Sequence, residues 1–221
     1  MADHPATYTN GFISRFRDLL IQHLGPSDPA HPHVVLDPFA GVGTIHTLRP
    51  EYATFGVELE PEWARESPYT YIGDSTDLPE YWETFFDAVV TSPTYGNRMA
   101  DHHDAKDGSK RHTYRHTLGR PLSEGNTGGM QWGAEYRDTH TRVWNEVARV
   151  LRPGGIFILN VSDHIRKGEV VSVAQWHHSV ICTLGFTLVS ADSVATPRQR
   201  HGANAHLRVE SEVIYTFRRN P

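Results

Sequence analysis

Asp37-Pro38-Phe39-Ala40-Gly41-Val42-Gly43-Thr44 follows directly on the apolar run His33-Val34-Val35-Leu36, and this junction decides the fold. A short, continuous apolar run suits a strand buried on both faces. Two glycines separated by one residue then let backbone amides approach a ligand with no Cβ in the way. A dinucleotide-binding fingerprint would continue to a third glycine, but His46 stands there, and a phosphate-cradling loop would need a lysine before Thr44. Outward from this turn the pattern repeats. Residues 53–57 close on Glu58, residues 69–72 close on Gly73-Asp74, and residues 86–91 close on Ser92-Pro93. Apolar runs that each end in a polar residue or glycine, separated by helix-capable pieces, predict parallel strands of a doubly wound sheet. In such sheets ligands bind at the carboxyl ends of the strands.

The flanking elements agree. Phe12, Ile13, Phe16, Leu19, Leu20 and Leu24 recur at helical spacing up to the stop signal Gly25-Pro26, and Val143, Trp144, Val147, Val150 and Leu151 mark a helix over 139–151. A fifth strand is expected at 156–161, a helix at 170–184, and two last strands at 186–189 and 212–217. Between residues 96 and 136 the rhythm breaks into a stretch rich in His, Arg, Lys, Asp and Gly, read as an insertion on the active edge. With 221 residues, 38% of them hydrophobic and 21% charged, the chain is expected to form one globular domain over 1–221. It contains no apolar run of the ~18 residues a membrane span needs. No secretory signal opens it, and the single Cys182 rules out an internal disulfide framework, so the expected compartment is the cytoplasm, with no membrane partner. The net charge of −5 means that any nucleic-acid partner must be argued from local patches.

Glu58 and Asp74 close two strands at the same edge, where one acid can accept both hydroxyls of a ribose and another acceptor can hold an adenine amino group. This is the set that a nucleoside-bearing cofactor without phosphates requires. The fourth strand ends in Thr91-Ser92-Pro93-Thr94-Tyr95-Gly96. DPFAGVGT together with TSPTYG resembles the exocyclic-amine DNA methyltransferases that use S-adenosylmethionine, whose motifs are a DPFxGxGT cofactor loop and an (S/D/N)PP(Y/F) catalytic loop. GVELEPEW (56–63) and EVARVLRPGGIFILNVSD (146–163) are similar to further family segments, so the resemblance covers about residues 33–95 and 139–218.

The resemblance implies a Rossmann-like class I methyltransferase fold, α/β, with a mostly parallel seven-stranded sheet and an inserted loop after strand four. It implies that Asp37, Phe39, Gly41, Gly43 and Thr44 wrap S-adenosylmethionine, with Glu58 on the ribose and Asp74 near the adenine. Phe12, on the helix preceding the loop, is a candidate cover for the cofactor or plain packing. Ser92, Pro93 and Tyr95 match the catalytic tetrapeptide. In that family the first side chain and the proline carbonyl accept hydrogen bonds from the target amine, and the aromatic ring stacks on a base flipped out of the DNA duplex. No metal is required. Serine at the first position leans towards cytosine N4 over adenine N6. RNA as substrate, or a binding protein that has kept the pocket and lost transfer, are the alternatives. Cys182, between Ile181 and Thr183 in an expected helix, is core filler rather than a carbon-5 nucleophile.

The sequence departs from the family pattern at Thr94, which replaces the second proline and is expected to loosen the turn. Restriction-associated relatives also carry a separate target-recognition region, for which 96–136 is the candidate here. Between Arg98 and Arg120 within it, Arg98, Lys106, Lys110, Arg111, Arg115 and Arg120 outnumber Asp101, Asp104 and Asp107, and Tyr114 and several histidines add stacking surface. Arg98, Lys110, Arg111, Arg115 and Arg120 are therefore expected DNA contacts. So are Arg198 and Arg200, between the last two strands.

Overall fold

The computed structural model describes residues 9–96, 114–166, 168–195, 209 and 211–221. A seven-stranded sheet forms its centre, in the order β3-β2-β1-β4-β5-β9-β8. The strands are β1 (Val34–Asp37), β2 (Ala53–Glu58), β3 (Thr70–Ile72), β4 (Phe86–Thr91), β5 (Leu151–Val161), β8 (Phe186–Ala195) and β9 (Ser211–Arg219). β1 to β5 run parallel, and β9 inserts antiparallel between β5 and β8. The expected mostly parallel α/β sheet of seven strands is thus present. β1 pairs with β2 on one side and β4 on the other. This is the point where the strand order reverses, and where a crevice opens beyond the strand ends.

The alternation of side chains sorts the core into two layers. On one face Val35, Ala88, Val90, Ile156, Ile158 and Ile214 pack with Ile13, Phe16, Leu19 and Leu20 of α1 (Asn10–Leu24). On the other face Leu36, Val89, Phe157, Leu159 and Phe217 meet Val143, Trp144 and Val147 of α4 (Ala134–Val150), together with Val173 and Ile181 of α5 (Val173–Thr183). Each fully buried side chain of this size contributes roughly 1.5–3 kcal/mol relative to exposure. Thr9 caps α1 by accepting the Phe12 N–H, and Gly25 ends it at φ 83°.

Several boundaries differ from the sequence reading. α4 begins at Ala134, five residues earlier than the apolar spacing indicates, and so takes in Tyr136 and His140. The expected helix at 170–184 starts only at Val173. Glu169–Val171 (β7) instead pairs with His164–Arg166 (β6) in a small hairpin, and the side chain of Asp163 accepts the Ala174 N–H at the helix start. β8 and β9 are longer than expected because they pair with each other along their length. Within the insertion, Tyr114–Leu118 forms a short helix (α3) and Thr127–Gly129 a 3₁₀ turn. The remaining short helix, α2 (Pro61–Ala64), follows β2. Among the described residues no helix is long and apolar enough to cross a membrane.

Candidate active site at the carboxyl ends of the strands

A cavity of about 400 Å³ opens at the strand ends, lined by residues of β2, β5 and β9, by the segments that follow β1, β3 and β4, and by the insertion. That volume lies within the range of small-molecule and cofactor sites. Phe12, Phe39, Gly41, Thr44, Glu58, Asp74, Ser92, Pro93 and Tyr95 all border it, so the structure brings together most of the residues singled out from the sequence.

Asp37 and Gly43 do not line the cavity, and their contacts explain why. Asp37 is fully buried. Its Oδ1 accepts the Phe39 N–H at 3.0 Å and the Thr91 hydroxyl at 2.7 Å, tying the glycine turn to the end of β4. Gly43 sits at φ +79°, and a Cβ there would lie 2.7 Å from the His46 ring and 3.0 Å from Ser67. His46 occupies that space because Nδ1 and Nε2 bond Thr54 and Thr70, and burial holds its pKa down at about 4. Both residues shape the loop from behind.

Glu58 is held by the loop it serves. Its Oε2 accepts the Gly41 N–H at 2.9 Å and its Oε1 accepts the Glu60 N–H at 2.8 Å. Burial nevertheless pushes the carboxyl up to about 7, opposed by those N–H groups and reinforced by Glu60 nearby. Asp74 is exposed to the cavity, and its Oδ1 takes the Thr76 N–H at 2.8 Å.

Thr94, expected to loosen the catalytic turn, is held at two points. Its hydroxyl donates to Thr127 at 3.0 Å, and its carbonyl accepts the Tyr136 hydroxyl at 2.7 Å. Trp144 Nε1 donates to His177 Nδ1 at 3.0 Å. His177 is buried and kept neutral, so its proton lies on Nε2, 2.9 Å from the Tyr136 oxygen. Tryptophan, histidine and tyrosine thus form one directed chain that ends on the Thr94 carbonyl, in the loop after β4. Gly96 closes the loop by approaching Trp132, whose N–H donates to its carbonyl at 2.7 Å.

The insertion supplies a wall of the cavity. Glu60 is fully buried and accepts from Ser123 N, Ser123 Oγ, Asn126 Nδ2 and Arg120 Nη2. Arg120, expected to contact DNA, is engaged with both Glu60 and Glu62. Tyr114 meets Trp63 edge-on, with ring centroids 5.4 Å apart, and both border the cavity. Arg98, Lys110, Arg111, Arg198 and Arg200 lie outside the described residues, as does the side chain of Arg115.

Two polar residues that the sequence reading passed over complete the site. Asn160, near the end of β5, donates from Nδ2 to Glu212 Oε2 at 2.7 Å, to Ser92 Oγ at 3.2 Å and to Tyr95 Oη at 3.3 Å. Glu212, one residue into β9, also accepts the Tyr95 hydroxyl at 3.1 Å. A polar residue in the run Phe157-Ile158-Leu159-Asn160-Val161 was the available signal for Asn160. Glu212 had none beyond its place at the start of a strand.

No protein-family model and no curated protein matches the sequence. Solved structures do share the fold. An S-adenosylmethionine-dependent methyltransferase from Clostridium acetobutylicum aligns over 97% of this chain and 93% of its own, with TM-score 0.59 and 11% identity. A second, from Methanosarcina mazei, aligns over 86% and 93%, with TM-score 0.54 and 11% identity. The [4+2]-cyclase SpnF aligns over 99% and 85%, with TM-score 0.57 and 16% identity. The chain therefore has the class I methyltransferase fold, an architecture that also carries a cyclase.

Proposed function

We propose that this protein is an S-adenosylmethionine-dependent methyltransferase acting on an exocyclic amine of a nucleic-acid base, with cytosine N4 of DNA as the favoured target. One observation carries the cofactor reading. The cavity lining contains three carboxylates, Glu58, Asp74 and Glu212, and no lysine or arginine among the described residues. Such a lining disfavours phosphate and favours a cationic ligand with hydroxyl and amine donors. S-Adenosylmethionine fits that donor set, with Glu58 on the ribose, Asp74 near the adenine and the Gly41 turn against the methionine end. When bound, it supplies an electrophilic methyl group on a positively charged sulfur.

The chain's own part is placement. Ser92, Pro93 and Tyr95 line the same cavity, and in this reading the Ser92 hydroxyl and the Pro93 carbonyl accept from the target N–H while Tyr95 supplies a ring. No thiol lies in the lining, so transfer is direct and the rate comes from orientation and preorganised dipoles. The resemblance of TSPTYG to the amino-methyltransferase tetrapeptide supports the amine. The basic residues of 96–136 and around Arg200 support nucleic acid as its carrier.

Incubation with labelled S-adenosylmethionine and DNA or RNA, followed by nucleoside mass spectrometry, tests the reading. N4-methylcytosine is the expected product. Cofactor binding with no label in any nucleic acid overturns the substrate assignment. Ser92→Ala should cut transfer by ~100-fold or more with cofactor affinity within about twofold of wild type.

A further inference from the structure

Ser92, Tyr95, Asn160 and Glu212 are joined by hydrogen bonds, and proton counting fixes the direction of the contacts among them. A carboxylate only accepts, so Tyr95 gives its single hydroxyl proton to Glu212 Oε2 across 3.1 Å. The 3.0 Å contact between Ser92 Oγ and Tyr95 Oη must then run from serine to tyrosine. Asn160 Nδ2 donates towards both oxygens, which leaves no alternative donor role for it and fills the acceptor sites that face β5. Ser92 therefore meets the cavity with its proton already committed and a lone pair available. It is locked as an acceptor by residues on two other strands.

We propose that Glu212 is the terminal proton acceptor of the reaction, reached from the target amine through Ser92 and Tyr95. The inference rests on the amine-methylation reading above. The target nitrogen's lone pair forms the new N–C bond while the methyl carbon–sulfur bond breaks, with its electrons left on sulfur. The nitrogen, now carrying a positive charge and a surplus proton, passes that proton to Ser92 Oγ. The serine proton moves to Tyr95, and the tyrosine proton moves to Glu212. One cation and one carboxylate are consumed, and a thioether, a methylated amine and a neutral carboxyl are formed. Only a substrate that presents an N–H or O–H to Ser92 can use the path, and a carbonyl oxygen is refused by the same polarity. Glu212 acts through Tyr95, while Asn160 holds the three oxygens in register.

Glu212→Gln keeps an acceptor for the Tyr95 hydroxyl and removes the ability to take its proton. Single-turnover and steady-state rates should fall by ~10²–10⁴-fold, while KM for DNA and cofactor affinity by calorimetry stay within about twofold. Tyr95→Phe preserves the ring, interrupts the path and should show the same split, so the test survives misfolding of either variant. Without turnover, the Tyr95 Cζ resonance of ¹³C-tyrosine-labelled protein, assigned with Tyr95→Phe, should shift in Glu212→Gln. An unchanged resonance overturns the tyrosine–carboxylate bond. Wild-type transfer to an amine with equal kcat in Glu212→Gln overturns the relay and leaves the proposed function standing. Equal losses in kcat, KM and cofactor affinity make Glu212 structural and overturn it too. A wild-type protein that transfers methyl to no amine overturns the proposed function, and the relay falls with it.

Discussion

Replacing Glu58 with glutamine should change how stability depends on pH, because a carboxyl raised to about 7 in the fold is ordinary once the chain unfolds. Between its unfolded value of 4.5 and about 7, the folded state keeps a proton that the unfolded state has released. Folded protein binds more protons in that window, so unfolding free energy falls as pH rises through it. At about 1.4 kcal/mol per pKa unit, the Glu58 contribution present at and below pH 4.5 is eroded by about 3 kcal/mol above pH 7. The comparison that isolates it is urea unfolding of wild type and Glu58→Gln at several pH values from 4.5 to 8, since all other titrating groups cancel in the difference. Glutamine places an amide donor against either the Gly41 or the Glu60 N–H, which gives an offset of about 1–3 kcal/mol at every pH. On top of that offset, the advantage of wild type should shrink by about 3 kcal/mol with rising pH. Parallel curves would refute the argument. The same physics reaches the cofactor. Hydroxyls donating to Glu58 favour its ionised form, so binding below pH 7 should release a proton, visible in calorimetry as heat that depends on the buffer, and Glu58→Gln should abolish the release.

Gly43→Ala forces a left-handed backbone on a residue whose Cβ would sit 2.7 Å from the His46 ring. It should cost about 1–3 kcal/mol and lower cofactor affinity by shifting the turn; an unfolding curve matching wild type would show that the loop relaxes freely. Tyr136→Phe strands the Thr94 carbonyl and the His177 proton, which should cost about 1–3 kcal/mol and slow turnover without weakening cofactor binding in calorimetry. Arg120→Ala removes a partner of the buried Glu60 carboxylate, so the expected loss is about 2 kcal/mol of stability. The salt dependence of DNA binding should be unchanged; a slope reduced by about one unit would assign Arg120 to phosphate.

The glycine turn and the strand-end acids were legible because local rules govern them. A short apolar run, a polar terminus and glycines at fixed spacing are properties of adjacent residues, and the sheet followed from repeating that unit. What adjacent residues cannot encode is which way a side chain turns and what arrives opposite it. Asp37 reads as a ligand contact at a strand end, yet its Oδ1 is committed to Phe39 and Thr91 behind the loop. Arg120 counts as a positive charge in any window, but Glu60 and Glu62 already match it from about 60 residues away. Glu212 reaches Tyr95 and Asn160 only because β9 is inserted beside β5, a long-range pairing that leaves no periodic trace. The early start of α4 escaped because its first turn, Ala134-Glu135-Tyr136-Arg137, places one aromatic ring among polar residues, and the hydroxyl of that ring bonds the Thr94 carbonyl.

Glu58 and Glu60 stand two residues apart with their carboxylates serving different masters, one the glycine turn and the other the insertion. Glu58 also receives the backbone N–H of Glu60, so the two anchors are mechanically in series. The segment around Ser123–Thr127 is therefore not an exchangeable module bolted onto the sheet. Transplanting it onto another scaffold of this fold requires moving Glu60 and Glu62 along with it. A change in this segment is therefore felt at the glycine turn, which Glu58 holds two residues from Glu60.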